Sequence, residues 1–469
     1  MLQLMNNPIH VPRGIVRRLA APLRRPRTAA WLEELPAFAV PASGIEALDG
    51  PVAFREVLLA MIAGAERRIV IAALYLQDDE AGREILAALH AAKAARPALR
   101  VEVYVDWHRA RRALIGEARG EGNAGLYRRM AEAHGEGVVI RGVPVQTREL
   151  FGVLHLKGFV IDDVVLYSGA SLNDVYLAKH GRCRLDRYHR IAHAPLAEAM
   201  ADFVARVFDA SEAVPRLDRA DLPTTRALAA AIRALRQSLQ GAAYAVPRER
   251  PLADEVAITP IAGFGRDNPL DQALLALIDS TRERLVLLTP YFNPPRPVRQ
   301  ALGRLLRRGC RIDIVVGDKT ANDFYLPPEQ PFTTIGLLPY LYEGNLRRYA
   351  RANRRHLESG QLGLHLWQHG EDSYHLKGLL IDDDRAVLTG SNLNPRAWSL
   401  DLENALLIDD PRRLLHAMHQ RELERLLQHA TRLRGPQDLQ RVADYPAEVR
   451  RRLRRVRRVR LDRLVNRLL

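Results

Sequence analysis

Cysteine is scarce in this chain: Cys183 and Cys310 are its two thiols in 469 residues. Their spacing matches no zinc-ligand pattern, and two thiols do not make a disulfide framework, so neither a structural zinc nor a stapled secreted scaffold organises the fold. A long apolar run is also missing. No stretch approaches the roughly 18 apolar residues that a spanning helix needs. The first residues, MLQLMNNPIHVPRGIVRRLAAPLRRPRTAAW, lack the apolar core of a secretory signal. Acids are in deficit, 55 against 70 lysines and arginines, which leaves a formal charge of +15. The expectation is a protein of the cytoplasm or of a membrane surface whose partner is anionic. Nucleic acid and an acidic lipid face are the two usual candidates.

What is present is a sequence long enough for two domains, with 47% apolar and 27% charged residues to fill and coat them. It repeats itself. FREVLLAMI reads as an amphipathic helix leading into the apolar, β-branched run ERRIVIAALYL, and DQALLALI leads in the same way into RERLVLLTPYF. Tyr75 and Tyr291 then fall at matching places, 216 residues apart. Next come VEVYVDWHRA and RIDIVVGDKTA, whose strands end at Asp106 and Asp318, 212 apart. Near-constant offsets imply an internal duplication. Strands alternating with helices imply βαβ units, so each half is expected to be an α/β sandwich, with an active site between the halves. The halves span 46–211 and 256–430, preceded by a basic segment 1–45, joined by a linker helix region 212–255 and followed by a basic amphipathic helix 431–469.

The chemistry concentrates in a third match. His155-Leu156-Lys157-Gly158-Phe159-Val160-Ile161-Asp162 returns as His375-Leu376-Lys377-Gly378-Leu379-Leu380-Ile381-Asp382, 220 residues on. Residues two apart in a strand share a face, so each histidine is expected to project beside its lysine. That arrangement suits a phosphodiester. A neutral imidazole can attack phosphorus, a second can move protons at the leaving and entering oxygens, and two lysines can neutralise the nonbridging oxygens. No metal or cofactor is called for. Each motif is followed by a small-residue turn, Gly169-Ala170-Ser171-Leu172-Asn173 and Gly390-Ser391-Asn392-Leu393-Asn394, whose asparagine amides and serines are candidate phosphate donors.

These residues resemble the H-x-K-x4-D signature of the phospholipase D superfamily. Several stretches extend the likeness: ALYLQDDE, VDWHRA, TPYFN, VGDKTANDFY, LPYLYEGNLRR and GSNLNPRAWSLDLENALLIDDP. From about Phe54 onward the chain is similar to the HKD-type bacterial phosphatidylserine synthases. That resemblance implies transfer of a phosphatidyl group from CDP-diacylglycerol to L-serine through a phosphatidyl-histidine intermediate, releasing CMP. It implies His155 as nucleophile and His375 as general acid/base. Lys157, Lys377, Asn173, Asn394, Ser171 and Ser391 would hold phosphoryl oxygens, and Asp162 and Asp382 would complete the catalytic set. Glu403 is the expected orienting acid of His375. The matching first-half stretch, Asp186-Arg187-Tyr188-His189, carries Tyr188 where a glutamate is expected, so the partner of His155 stays open. Tyr75 and Tyr291 are expected in the substrate wall, beside Asp106, His108, Arg109, Asp318, Lys319, Asn322, Asp323, Tyr342 and Glu343.

Other superfamily chemistries (cardiolipin synthase, phospholipase, nuclease) remain as alternatives. Asp49-Gly50-Pro51-Val52-Ala53 begins like the metal-dependent CDP-alcohol phosphotransferase motif, but Phe54 stands where arginine should, and that route is rejected. The carboxyl end, AEVRRRLRRVRRVRLDRLVNRLL, places Val449, Leu453, Val456, Leu464 and Leu468 near helical spacing, with arginines on the other faces. It is expected to lie on the anionic inner face of the cell membrane, a helix packed on the body or a tail for ribosomes or nucleic acid being the other readings.

Overall fold

The computed structural model describes residues 29–112, 121–327 and 330–458. Its strands, in chain order, are β1 (Phe38–Pro41), β2 (Ile45–Ala47), β3 (Arg68–Ala72), β4 (Arg100–Asp106), β5 (Val138–Val143), β6 (Phe159–Ile161), β7 (Val164–Ser168), β8 (Arg184–Leu185) and β9 (Tyr188–Ala192). There follow β10 (Glu255–Gly263), β11 (Arg284–Leu288), β12 (Arg311–Gly317), β13 (Leu362–Trp367), β14 (Ser373–Tyr374), β15 (Gly378–Ile381), β16 (Arg385–Thr389), β17 (Glu403–Asp409) and β18 (Ala430–Arg432). The first half forms a seven-stranded sheet in the order β2-β9-β7-β6-β3-β4-β5, and the second a nine-stranded sheet in the order β1-β10-β17-β16-β15-β11-β12-β13-β18. Helices cover the faces, so each half is the expected α/β sandwich.

The duplication is visible in the pairing. β3, β4 and β5 run parallel, as do β11, β12 and β13. In each half the strand after the histidine motif then joins antiparallel, β6 on β3 and β15 on β11. The sheets are therefore mixed: the βαβ signal covers the three parallel strands, and tight hairpins such as β6–β7 and β15–β16 make the rest.

The segment boundaries cross the two lobes. β1, from the amino-terminal segment, adds to the edge of the second-half sheet through β10, while β2 pairs with β9 in the first. The linker helix, Ala229–Gln240, turns Ile232, Leu235 and Leu239 into the first half. Each buried side chain there contributes about 2 kcal/mol. The same core continues into the second half through Ala386, Leu388, Leu402, Leu406 and Ile408, so the lobes share hydrophobic packing.

The carboxyl-terminal region differs from expectation. Residues 430–432 are β18, at the far edge of the second sheet, and the helix begins only at Ala447 and runs to Arg458. Its apolar stripe is already used: Val449, Leu453 and Val456 are buried against Leu337, Leu338, Tyr340, Leu341 and Tyr445. Leu464, Leu468, Arg460 and the basic stretch Arg13 to Arg27 lie outside the described residues. Among the described residues no helix is long and apolar enough to cross a membrane.

Candidate active site

Both histidine motifs sit just before a strand rather than within one, and each is anchored by the opposite half. The His155 backbone N–H donates to Leu402 O (2.9 Å), and Leu402 N–H returns a bond to Val153 O (3.0 Å). In mirror fashion β14 pairs in parallel with β8, and the His375 N–H donates to Leu185 O (2.8 Å). The Asn404 side chain completes the first clamp. It accepts from the Lys157 N–H (2.8 Å) and donates to Lys157 O (2.8 Å), so a side-chain amide takes the place of a neighbouring strand. The glycine after each lysine has positive φ, +117° at Gly158 and +144° at Gly378, a turn from extended segment to strand that a Cβ would strain.

The lysines interlock across the same boundary. A Cβ at Gly390 would sit 2.5 Å from Lys157 Cγ, and one at Gly169 would sit 2.8 Å from Lys377 Nζ and 2.7 Å from the Asp186 carboxylate. The glycine of each half thus leaves room for the lysine of the other. Neither needs unusual backbone angles, so space is the reason for glycine. Both lysines are buried. Lys157 Nζ reaches Ala170 O (3.3 Å) and Ser171 Oγ (3.4 Å). Burial and then the charge of Lys377 depress the Lys157 ammonium to about 7. Lys377 donates to Asp186 Oδ2 (2.6 Å) and lies 2.5 Å from His375 Nδ1.

The orienting acids are exchanged between halves. Glu403 does not serve His375: its carboxylate oxygens lie 2.8 and 2.9 Å from His155 Nδ1. The acid on the Nδ1 side of His375 is Asp186, 3.6 Å away. Strand register explains the crossing. Ser168 of β7 pairs with Tyr188, and Thr389 of β16 pairs with Ala405. Counting back two residues from each partner gives Asp186 and Glu403, so Asp186 is the true counterpart of Glu403 and Tyr188 is not. The partner of His155, open from sequence, comes from 248 residues away.

The two histidines are electrostatically unequal. Burial, then Lys157, Lys377 and His375, hold His155 well below its ordinary value, so it is neutral at pH 7. Burial and Asp401 push the Glu403 carboxyl well above the carboxylate range, while the charges of Lys157, Lys377 and Arg396 pull it back toward the ionised form that can accept from Nδ1. With Nδ1 occupied by Glu403, His155 Nε2 has no partner among the described residues. His375 is lowered to about 4 by burial and Lys377, against the pull of Asp323 and Asp186. Both its nitrogens are engaged. Nδ1 also meets the Tyr176 hydroxyl (3.0 Å), and Nε2 lies 3.4 Å from Asp323 Oδ2.

The chain is 45% identical to the CDP-diacylglycerol–serine O-phosphatidyltransferase of Escherichia coli K12 over 95% of its own length and 99% of that protein's. It belongs to the phosphatidylserine synthase family of the phospholipase D superfamily. The enzyme of the same name from Haemophilus influenzae is 43% identical over 93% of this chain and 97% of its own. The crystal structure of phosphatidylserine synthase from that organism superposes with a TM-score of 0.91 at 42% identity, covering 94% of this chain and 99% of that one. The family described as "Cardiolipin synthase, PLD-like domain" matches residues 274–427, within the second half.

Seen as a phosphatidylserine synthase, the chain keeps most of its expected site residues together, with one pair elsewhere. Asp162 and Asp382 sit at the far end of the strand from the histidines, five residues past the lysines and roughly 15 Å along the chain. Asp162 accepts from the N–H groups of Glu66, Arg67 and Arg68 (2.9, 2.8 and 3.1 Å), and Asp382 from those of Arg282, Glu283 and Arg284 (2.7, 2.8 and 2.9 Å). Both occupy the left-handed region, with φ of 50° and 52°. They staple the loops entering β3 and β11 and touch no reacting group, so their place in the catalytic set is withdrawn.

Each turn holds its asparagine by the side-chain carbonyl. Asn173 Oδ1 caps Tyr176 N–H (3.1 Å) while its amide donates to Gln77 Oε1 (3.4 Å), and Asn394 Oδ1 caps Ala397 N–H (2.9 Å). Ser391 Oγ accepts from Leu393 N–H (3.4 Å). Tyr291 stacks on Tyr342 at 4.7 Å and stands edge-on to His375 at 6.3 Å. Those two tyrosines, with Asp318, Lys319, Asn322 and Glu343, line a narrow cleft. Asp106 is buried and its Oδ2 accepts from Leu154 N–H (2.9 Å), which steadies the backbone one residue ahead of His155. His108 Nε2 meets Gln146 O (2.8 Å) and Arg109 pairs with Glu149 (2.8 Å), so both are held locally. Sequence reading missed Tyr176, Arg184, Asp186 and Asn404. Asp186 alone had a usable signal, its place before β9.

Proposed function

We propose that the chain transfers a phosphatidyl group from CDP-diacylglycerol to L-serine, with His155 as the nucleophile. The observation that carries the roles is the unequal pair: Glu403, in its ionised form, holds the Nδ1 proton of a neutral His155 and leaves Nε2 open, whereas both nitrogens of His375 have partners. Nε2 attacks the phosphorus that bears diacylglycerol. The bond to CMP breaks, and the two lysines take the charge on the nonbridging oxygens. CMP is a phosphate monoester and leaves with little protonation. Arriving phosphate draws Lys377 off His375 Nδ1 and toward itself. Asp186 and Tyr176 can then hold the Nδ1 proton, which frees Nε2 to take the proton of the serine hydroxyl. The serine oxygen forms its bond to phosphorus as the phosphorus–nitrogen bond to His155 breaks. Water in place of serine gives slow hydrolysis to phosphatidic acid.

Rapid quench with CDP-diacylglycerol labelled in the phosphatidyl group tests the roles. Labelled protein is expected for the wild type and for His375→Ala, and none for His155→Ala. Label retained by His155→Ala, or lost from His375→Ala while the wild type is labelled, would reverse them.

The substrate resides in a bilayer, and the finer reading of the anionic partner is an acidic membrane face. With the valine–leucine stripe of helix Ala447–Arg458 buried, attraction there falls to Arg451, Arg454 and Arg455, which are exposed. Each basic residue near such a surface contributes about 1 kcal/mol.

A further inference from the structure

One largely buried ion pair beside His375 has no part in the chemistry so far. Arg184, on β8 of the first half, places Nε 2.9 Å from Asp323 Oδ1 of the second half. The side chains retain 19% and 10% exposure, and neither of those two atoms makes an aligned hydrogen bond with any described group. Two charges are thus held in contact, largely out of water, through a donor and an acceptor that are not aligned with each other. That is costly for a purely structural pair and suits a site that a ligand completes. The surroundings are aromatic: Arg184 lies over the Tyr176 ring at 4.9 Å, and the half-buried Tyr75 phenol feels the charges of both Arg184 and Asp323.

We infer that Arg184 and Asp323 form the pocket that selects a zwitterionic acceptor, Asp323 taking its ammonium and Arg184 its carboxylate; this rests on the phosphatidyl-transfer reading above. The spacing supports it. Asp323 Oδ2 is 3.4 Å from His375 Nε2. In a β-hydroxy-α-amino acid the hydroxyl oxygen and amino nitrogen sit on adjacent carbons, about 3 Å apart by standard bond lengths. One such molecule can set its hydroxyl on Nε2 and its ammonium on Asp323. The carboxylate, on the same carbon as the ammonium, then faces the guanidinium, whose planar fork matches it.

The pair opens to admit a ligand that repeats its charges in reverse order, so no net charge is buried. An acceptor with a phosphate would set a dianion against Asp323, and a neutral alcohol would leave the ion pair unmatched. The arrangement is absent from the other side of the site. Two residues before Glu403, in the place that Arg184 holds before Asp186, stands Asp401, paired with Arg396 at 3.0 Å. The acceptor therefore has one docking place, on the His375 side, while His155 faces the donor. In the transfer step the hydroxyl proton passes to His375 Nε2, the serine oxygen bonds to phosphorus, and the bond to His155 breaks. No further reactant is needed.

The test measures acceptor choice with CDP-diacylglycerol in mixed micelles, reading CMP release and the ratio of phosphatidyl-acceptor product to phosphatidic acid. With the wild type, serinol (no carboxylate) and 3-hydroxypropanoate (no ammonium) are expected to be used about 10- to 100-fold less well than serine, the loss of one charge-assisted contact each. In Arg184→Gln the serine KM is expected to rise by a similar factor, the product to shift toward phosphatidic acid and the serine-over-serinol preference to collapse, with Arg184→Lys recovering part of it. Asp323→Asn is expected to erase the preference over 3-hydroxypropanoate instead. Equal use of the three acceptors by the wild type overturns the assignment without any variant. So does a parallel fall of serine transfer and hydrolysis in both variants at unchanged serine KM. No CMP release by the wild type from CDP-diacylglycerol, with or without serine, sinks phosphatidyl transfer itself, and the acceptor pocket with it.

Discussion

A carboxylate 2.8 Å from one imidazole nitrogen decides what the other nitrogen can do. In its ionised form Glu403 accepts from Nδ1 of His155 and so selects the tautomer with a lone pair on Nε2. Glu403→Gln keeps the shape but lets the amide donate to Nδ1, which favours the wrong tautomer. A fall in kcat of about 10²- to 10⁴-fold is expected, by analogy with loss of the orienting acid in hydrolase triads. Single-turnover labelling of the protein measures it, and intermediate formation at the wild-type rate would contradict the assignment. Lys157 supplies a pH signature. Its ammonium, depressed to about 7 by burial and Lys377, is charged below that pH and neutral above it. Phosphate capture by the free protein should therefore weaken as pH rises through about 7. An alkaline fall is expected in kcat/KM for CDP-diacylglycerol. In kcat it moves to higher pH, because the bound diphosphate holds the proton on Lys157. Profiles of the two constants across pH 6 to 9 check this, and coincident limbs would count against it.

At the scale of elements, the repeated motif divides into a chemical end and a structural end. Histidine and lysine lie before the strand, held from the opposite half, and the aspartate lies beyond it, capping the loop into the neighbouring strand. Asp162→Ala and Asp382→Ala each leave three backbone N–H groups without their acceptor. A stability loss of about 1–3 kcal/mol is expected, seen as a lower denaturation midpoint with kcat retained by the folded fraction. Gly169→Ala and Gly390→Ala are expected to lower activity itself, because the added methyl strikes Lys377 Nζ or Lys157 Cγ. Activity of the folded fraction should drop by more than tenfold even where overpacking also lowers the midpoint, and assays run beside thermal melts separate the classes. The motif was easy to find in the chain, yet its two ends do different work. Spacing along one strand shows which residues share a face; it does not show what stands opposite them.

For the whole molecule, the joining of two half-sites explains why the lobes are welded. Shared core residues, the β8–β14 bridge and the exchange of acids leave little freedom for one half to move without disturbing the other's histidine. Formal charge of +15 adds a long-range attraction to anionic surfaces. Replacing Arg451, Arg454 and Arg455 together with serine is expected to weaken sedimentation with vesicles rich in anionic lipid, most clearly at low salt, and to leave activity on detergent-dispersed substrate near wild type. Unchanged vesicle binding would move the contact to another basic surface.

The duplication, the sandwich class, both histidine–lysine pairs and the asparagine turns were legible in the chain, because each depends on periodicity or on residues close together in sequence. So was the family, whose motifs lie in short runs. The tertiary structure alone decided that Glu403 serves His155, that Asp186 stands where Tyr188 was placed, that Arg184 meets Asp323, and that the stripe of the carboxyl-terminal helix is spent on the protein's own tyrosines. All four are contacts between distant segments, several of them across the two halves. Strand register and lobe docking set them, and neither leaves a mark on local spacing.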